Sequence, residues 1–220
     1  MIKHTKEPYP GADSDHLNVH HLAIERDGQV IATLRAIGAS IRDSWADPTD
    51  DHPHAIYSGH SELTDLFEGV FGYNPEDSDA DILTYGIRDE LLDALDVLPG
   101  GIRAADRMDP LPNILYVDNI LVQPAHRGQG LATRLLRSLK NLSRHYDAVL
   151  LEASPFLTDF NGNKAEQLRL RAKLRVLYER SGFTPVAGEF PYMLATFSAL
   201  NPRPQMAKRS AAHHEHTLGI

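Results

Sequence analysis

The feature that most constrains this chain is a stretch in which a buried strand, a glycine-bearing turn and a helix follow one another without a break. In VDNILVQPAHRGQGLATRLLRSLK, residues 117–140, an apolar run ends at Pro124, and Gly128 and Gly130 stand just before a leucine-periodic segment. Helix N-termini present unpaired backbone N–H groups and a partial positive charge. Glycines let that backbone approach a ligand without a Cβ in the way. The stretch therefore predicts a phosphate cradle, and Arg127 adds a cation able to meet the phosphate.

Two common phosphate-binding motifs do not fit this stretch. The P-loop requires Gly-Lys-Ser/Thr at its end, whereas the chain has Gly130-Leu131-Ala132. The dinucleotide fingerprint GxGxxG would need a glycine where Thr133 stands. The cradle is therefore predicted to bind a phosphate ligand of another kind.

Length and composition narrow the class of protein. A chain of 220 residues with 42% apolar residues predicts one domain, with or without an insertion, and a proper core. The absence of cysteine excludes disulfides, thiolate metal sites and a cysteine nucleophile. The polar N-terminus has no signal-peptide core, and no window is apolar enough to span a membrane. We therefore expect a soluble cytoplasmic protein with no membrane partner.

Charge is unevenly distributed along the chain. Residues 41–110 hold 17 acidic residues, four arginines and no lysine, whereas the remainder carries a net charge of +5. Such asymmetry is typical either of a binding surface or of an acidic, solvated insertion. Both interpretations remain open from the sequence.

The order of predicted elements is strand, strand, acidic insertion, strand, helix, strand, helix, strand, strand. This order indicates a mixed α/β sheet rather than a doubly wound one. Asp27-Gly28 is a hairpin-turn signal between the first two strands. The predicted strands are 19–25, 30–37, 113–122, 147–156 and two around Gly188, and the predicted helices are 131–142 and 164–181, with a short one capped by Ser61 and another near 79–98 inside the insertion.

Two ordered motifs resemble the GNAT superfamily of N-acyltransferases. Arg127-x-x-Gly130-x-Ala132, preceded by LVQP, looks like the family's acyl-CoA signature, and VLYERSGFTPV, residues 176–186, is similar to its later block. The resemblance covers roughly residues 19–38 and 113–198. It implies a GNAT fold, which is a mixed, mostly antiparallel sheet with splayed central strands and flanking helices. We expect one domain over residues 1–200, an acidic insertion at about 40–112, and a flexible tail at 201–220.

The resemblance also implies the donor and its binding residues. The donor would be acetyl-CoA, with its pantetheine arm against the strand backbone and its pyrophosphate on the amides of the turn. Carried over residue by residue, the donor site comprises Ile120, Leu121, Val122, Arg127, Gly128, Gln129, Gly130, Leu131, Ala132 and Thr133.

The implied catalytic residues are Tyr178 and Asp118. Tyr178 matches the tyrosine that protonates the departing thiolate. An amine with a pKa near ~10 must lose a proton before it attacks a thioester. Asp118 matches a carboxylate position of the family and, being short, would act through a water; Glu152 on the next strand is the alternative base. A backbone N–H near Val122 would meet the oxyanion.

The chain departs from the family pattern in two places. Arg171 stands seven residues before Tyr178, where many members have an asparagine that contacts the cofactor, and Asn161 or Asn163 could substitute for it. The basic face of that helix either meets the 3′-phosphate of the donor or is simply solvated. Only about 18 residues precede the hairpin, so the insertion could supply helices over the acceptor site, and its acids would favour a cationic acceptor.

Histidines are expected to play no metal-binding part. His52, His54 and His60 cluster in the insertion, and three more lie in the tail, but no cysteine or carboxylate framework accompanies either group. His20 and His21 are adjacent on a predicted strand, so one should point inward and the other outward.

The leading hypothesis is an N-acetyltransferase that moves an acetyl or other short acyl group to a primary amine, in a ternary complex with a small-molecule or peptide acceptor. The alternative is a non-catalytic GNAT-fold module that binds acyl-CoA or another protein. A nucleic-acid-modifying acyltransferase, such as a tRNA-directed toxin, is disfavoured by the net charge of -8. Because the family often dimerises, a homodimer is compatible with the resemblance.

Overall fold

The computed structural model describes residues 1–10, 17–40, 113–155, 160–186 and 192–200, together with 91, 93 and 94. Seven strands and two helices make up this part of the chain. The strands are β1 (Ile2–Pro8), β2 (Leu17–Arg26), β3 (Gln29–Ala39), β4 (Ile114–Val122), β5 (Ala148–Glu152), β6 (Thr184–Pro185) and β7 (Tyr192–Thr196). The helices are α1 (Leu131–Ser138) and α2 (Lys164–Arg180), with 3-10 turns at Pro124–His126 and Leu139–Leu142.

All seven strands form one sheet in the order β1-β2-β3-β4-β5-β7-β6. The β4–β5 pair is parallel, and the other neighbouring pairs are antiparallel. Helix α1 lies in the connection between the two parallel strands, because such a connection must cross from one end of the sheet to the other. The mixed, mostly antiparallel α/β sheet predicted from the sequence is confirmed.

The hairpin between β2 and β3 forms where the sequence predicted it. Asp27 and Gly28 both adopt positive φ, at 53° and 76°. Two successive left-handed residues make the turn whose twist matches that of the flanking strands. The turn fixes the register from Arg26↔Gln29 to Leu17↔Ala39, apart from a bulge at Ile24/Glu25.

The sequence prediction missed β1. This strand, IKHTKEP, is polar and exposed at every position except the half-buried Ile2. It lies at the edge of the sheet and pairs along its whole length with β2. Because an edge strand buries so little, it carries no apolar alternation for a sequence pattern to show. The predicted element order is therefore wrong at its start, and one more strand precedes the hairpin.

The core lies between the sheet and α1, which packs across β2, β3 and β4. Leu131, Leu135, Leu139 and Leu142 are all buried, as their spacing predicted. The α-helix itself is shorter than predicted, since it ends at Ser138 and continues as a 3-10 turn. At the centre of the sheet both alternating sets of β4 side chains are buried over residues 114–117, so both faces are covered there.

Helix α2 begins at the predicted residue and ends at Arg180, one residue before the predicted end. The Asn163 side chain accepts hydrogen bonds from the backbone N–H groups of Ala165 and Glu166, and so caps the helix start. Gly182 follows the last turn with φ 103°, and an added Cβ there would lie 2.3 Å from the carbonyl oxygen of Ala199. Only glycine fits this position, which turns the chain toward β6.

A polar chain crosses the interior beside β2. His20 is 1% exposed, and its Nε2 lies 2.9 Å from the Tyr146 hydroxyl while its Nδ1 lies 3.0 Å from Nε2 of His4. Gly38 leaves the room for Tyr146, because a Cβ there would lie 2.0 Å from the hydroxyl. His21 points outward to Glu7. The inward and outward placement predicted for the two histidines is confirmed.

Several sequence predictions fall outside the described residues. These are the fold of the insertion, the short helix capped by Ser61, the two outer histidine groups and the tail at 201–220. Leu91, Asp93 and Ala94 are helical, within the helix predicted near 79–98. In the described ranges no helix is long and apolar enough to cross a membrane. No group of three metal-ligating side chains occurs among those same residues.

Candidate functional site

The two central strands of the sheet separate at one end. β4 has nine residues, yet β5 pairs only with its first four, from Ile114↔Ala148 to Val117↔Leu151. Among the described residues, 118–122 therefore have no strand partner on the β5 side. The backbone groups that face this gap are available to a ligand, because no described strand pairs with them.

A bulge on the β3 side lies at the same point. Arg35 pairs with Asn119 and Ala36 pairs with Val117, so Asp118 has no residue opposite it on β3. Bulges bend a strand and re-aim its side chains, and they are common next to active sites. Asp118 is thus the residue at which the ladders on both sides of β4 are interrupted.

Beyond the gap, the turn before α1 has the geometry of an anion cradle. Gly128 and Gly130 have φ of 77° and 72°, and a Cβ added at either would meet nothing within 4 Å. Gly130 is the N-cap of α1, with no side-chain cap and no acidic residue in the first turn. The first N–H groups of α1 therefore have no side-chain cap, and the helix dipole there favours negative charge.

The gap and the cradle share one cavity of about 920 Å³. Nine of the ten residues predicted for the donor site line it, and Gln129 does not. The lining residues are Asn119, Ile120, Leu121, Val122, His126, Arg127, Gly128, Gly130, Leu131, Ala132, Thr133, Ser154, Pro155, Leu170, Leu174 and Leu177. A cavity that is apolar between the strands and carries N–H groups at its mouth fits a slender chain with a phosphate end.

Two basic side chains stand at the mouth of the cavity. Arg127 is exposed, and its Nε donates to the Val122 carbonyl at 3.3 Å. His126 has a buried Nδ1 without a hydrogen-bond partner. A buried N–H with no acceptor is costly, so this burial favours the tautomer with the proton on Nε2.

Tyr178 belongs to the core rather than to the cavity wall. Its ring is 8% exposed and stands edge-on to Phe183, with ring centroids 6.1 Å apart. Burial raises the pKa of the phenol to about 12, so it stays protonated at neutral pH. The preceding turn of α2 contributes Leu174 and Leu177 to the cavity. Tyr178 therefore lies beside the cavity but does not line it.

The two candidate bases have different surroundings. Asp118 is bound by Arg35, whose Nη1 donates to Oδ2 at 2.6 Å. Glu152 ends β5 opposite Tyr192 of β7 and makes no ion pair within the described part of the chain. Since Val117↔Leu151 is the last β4–β5 pair, Asp118 and Glu152 are the next residues on their strands. Both residues therefore stand at the point where the gap opens, and neither of them lines the cavity.

The departures from the family pattern have plain structural counterparts. Arg171 is half-buried on α2, two turns before Tyr178. Asn163 is engaged as the helix cap, and Asn161 is exposed in the preceding turn. On the basic face, Arg169 bonds Glu166 and Arg175 bonds Glu179.

Sequence reasoning missed part of the cavity lining. Asn119, His126, Ser154 and Pro155 were not singled out. Leu170, Leu174 and Leu177 were not singled out either; they are partly buried on α2 and line the cavity. Ser154 and Pro155 could have been found as the residues at which the predicted β5 breaks.

Comparison with known proteins identifies the class. A model of the acetyltransferase (GNAT) domain matches residues 87–185, a span that includes the glycine cradle and Tyr178. The chain therefore carries a GNAT acetyltransferase domain over this span. Its class is that of the N-acetyltransferases, as the two motifs predicted. A search among curated proteins found no match.

Solved structures with a similar arrangement are distant. An acetyltransferase crystal structure is 18% identical over 80% of this chain and 69% of its own, with a TM-score of 0.33. The AtaTR complex bound with AcCoA is 11% identical over 84% of this chain and 73% of its own, with a TM-score of 0.39. A mutant of agmatine N-acetyltransferase in apo form is 12% identical over 80% and 75%, with a TM-score of 0.36. None of these likenesses identifies a substrate for this chain.

Proposed function

We propose that the protein transfers an acetyl or other short acyl group from acyl-CoA to a primary amine, with donor and acceptor bound together. The observation that carries the proposal is the single cavity that joins the gap between β4 and β5 to the glycine cradle of α1. A thioester held in that gap would lie beside the two carboxylates at its apex. The amine would attack it there.

The donor is proposed to lie along the cavity with its pyrophosphate at the cradle. The uncapped N–H groups after Gly130 and the Arg127 guanidinium would hold the phosphates. Unpaired backbone groups of 120–122 would bond the amides of the pantetheine arm, as a neighbouring strand would. On binding, Arg127 would exchange the Val122 carbonyl for phosphate. A backbone N–H near Val122 would meet the developing oxyanion.

Asp118 is our proposed base, acting through a water. Its short side chain stands at the apex of the gap, and Arg35 binds one of its two oxygens. Glu152 is the competing candidate, because its carboxylate forms no ion pair within the described residues. Parallel Asp118→Asn and Glu152→Gln variants separate the two. Loss of the base should lower kcat on the order of 10²–10⁴-fold, and the other variant should stay near wild type.

Tyr178 is proposed to stabilise the departing sulfur. A phenol with a pKa of about 12 is protonated throughout the neutral range and can donate a hydrogen bond. Full transfer to a thiolate, whose ordinary pKa is about 8.5, is uphill. The hydrogen bond to sulfur is therefore the main contribution of Tyr178, and the thiolate acquires its proton from water or from the base that took it from the amine.

Thermal unfolding with acetyl-CoA, CoA, ATP and NADH in separate samples tests the donor. A ligand at a hundred times its Kd should add about 2.7 kcal/mol of stability. Stabilisation by the two CoA species alone would support the proposal. Free-thiol release with an amine panel then measures turnover, and the protein contributes no thiol of its own. No response to either CoA species would favour a non-catalytic module instead.

A cationic acceptor is proposed from charge alone. Residues 41–110 carry 17 acidic residues against four arginines, and a field of that sign raises the local concentration of ammonium groups. Replacing those acids in groups by their amides should raise KM for diamines more than KM for uncharged amines. Equal KM values before and after the replacements would remove this part of the proposal.

A further inference from the structure

We infer that Arg35 is a positioning residue for the reaction and that it acts through Asp118. The inference rests on the proposed function, because it concerns the carboxylate that takes the proton. Arg35 lies 83 residues before Asp118 in the chain, on the neighbouring strand, and no sequence motif connects the two. Their ion pair stands where the pairing of β4 with β5 ends.

The backbone leaves Asp118 unusually free. On the β3 side it is the extra residue of the bulge, and on the β5 side it is the first residue past the last pair, Val117↔Leu151. A ladder normally fixes the direction of a strand side chain, since hydrogen bonds on both sides hold its peptide groups. At Asp118 both ladders are interrupted, so a side-chain contact has to set the direction of the carboxylate.

Arg35 supplies that contact. Its Nη1 lies 2.6 Å from Oδ2 of Asp118, and the two side chains are 25% and 23% exposed. Charge-assisted bonds of this length are the stronger kind. Within the described residues Oδ1 of Asp118 has no partner. One oxygen is thus held and the other is left for the water or amine that loses the proton.

The chemistry assigned to Arg35 is limited to orientation and charge. The guanidinium does not exchange a proton in this role, since it stays charged at any working pH. It holds one oxygen of Asp118 and so fixes the direction of the carboxylate. A lysine in its place keeps the charge but loses the planar donor geometry, so it should restore part of the effect.

A double-mutant cycle tests the inference. Arg35→Gln should lower kcat at least about tenfold with little change in KM for acetyl-CoA, and Arg35→Lys should recover part of it. In an Asp118→Asn background, Arg35→Gln should cause no further loss, because its effect passes through the missing carboxylate. Lys3→Gln breaks the cross-strand Lys3–Glu25 pair, 2.7 Å long, and serves as the control with unchanged kcat.

Three kinetic results would overturn the inference. They are full kcat in Arg35→Gln, an equal loss from Arg35→Gln with and without Asp118, and full activity of Asp118→Asn. Amide hydrogen exchange gives a readout independent of turnover. Arg35→Gln should speed exchange at Asp118 and Asn119 but not at residues 114–117. Unchanged exchange would overturn the positioning role, whereas absent thiol release by wild type would overturn only the proposed function.

Discussion

At the scale of single residues, the two side chains proposed for catalysis have opposite surroundings. Tyr178 is enclosed by the core, and burial holds its pKa at about 12. Asp118 stands half-exposed at an interruption of the sheet, with a cation on one oxygen. In the proposed reaction the phenol donates a hydrogen bond to the departing sulfur, and the carboxylate takes a proton from the amine.

The Tyr178→Phe variant tests the role proposed for the phenol hydroxyl. Losing one hydrogen-bond donor to the departing sulfur should lower kcat on the order of 10²–10³-fold, by analogy with removing an oxyanion donor. The Kd for CoA should stay near wild type because the ring, which fills the core, is retained. Thiol release and calorimetry measure the two quantities.

The matched control is Tyr9→Phe, which removes a phenol hydroxyl from another buried tyrosine. It should leave kcat unchanged. The pKa of Tyr178 is about 12, so loss of its proton does not affect the rate below about pH 10. Any alkaline limb of the pH–rate profile below that pH should therefore also be present in Tyr178→Phe, at a lower kcat. Unaltered kcat in Tyr178→Phe would remove the Tyr178 hydrogen bond from the mechanism.

At the scale of elements, two glycines with positive φ do different work. Gly130 begins α1 in open space, so a side chain there costs only backbone strain. Gly182 follows α2 and packs against the carbonyl of Ala199, so a side chain there would also clash with that backbone group. Gly130 shapes the proposed donor site, and Gly182 is required by the packing at the end of α2.

Gly130→Ala and Gly182→Ala should therefore separate binding from stability. Gly130→Ala adds about 1–2 kcal/mol of left-handed strain, which should weaken CoA binding about tenfold with a small loss of stability. Gly182→Ala should lower the free energy of unfolding by more than that and leave the Kd of the remaining folded protein unchanged. Urea denaturation and calorimetry on both variants give the answer. The reverse pattern would contradict the assigned roles.

An element could be predicted from the sequence when the residues that determine it lie close together in the chain. The hairpin turn and the cradle glycines are set by neighbours in the chain, so the sequence predicted them. β1 was not predicted, because a polar edge strand has no burial pattern. The Arg35–Asp118 pair was not predicted, because its two residues are brought together only by the register of the sheet. The gap itself was implied by the family resemblance and not by any residue within it.

At the scale of the whole molecule, a buried histidine makes stability depend on pH. Burial and the nearby charges of His4, Lys6, His145 and His21 lower the pKa of His20 from 6.5 to about 4. The unfolded chain therefore binds more protons between these values than the folded one. The stabilising contribution is complete above pH 6.5 and is lost as the pH falls through the window to about 4.

Urea denaturation at a series of pH values checks this expectation. The slope from His20 should reach at most about 1.4 kcal/mol per pH unit inside the window. His20→Gln should flatten the curve there, because the titrating group is gone. His21→Gln, on the exposed side of the same strand, is the control and should keep the slope. A wild-type curve flat from pH 6.5 to 4 would contradict the assignment.

The opened pair of strands also bears on how this site can change over time. Along residues 120–122 the cavity offers peptide groups, and every amino acid except proline supplies the same N–H and C=O. Replacing the side chains there therefore leaves the recognition chemistry in place. Substitutions can accumulate at most of these positions with little effect on binding. For this reason few of the side chains are characteristic of the site. For the same reason, an inhibitor that completes β4 like an added strand leaves the enzyme few single substitutions by which to escape it.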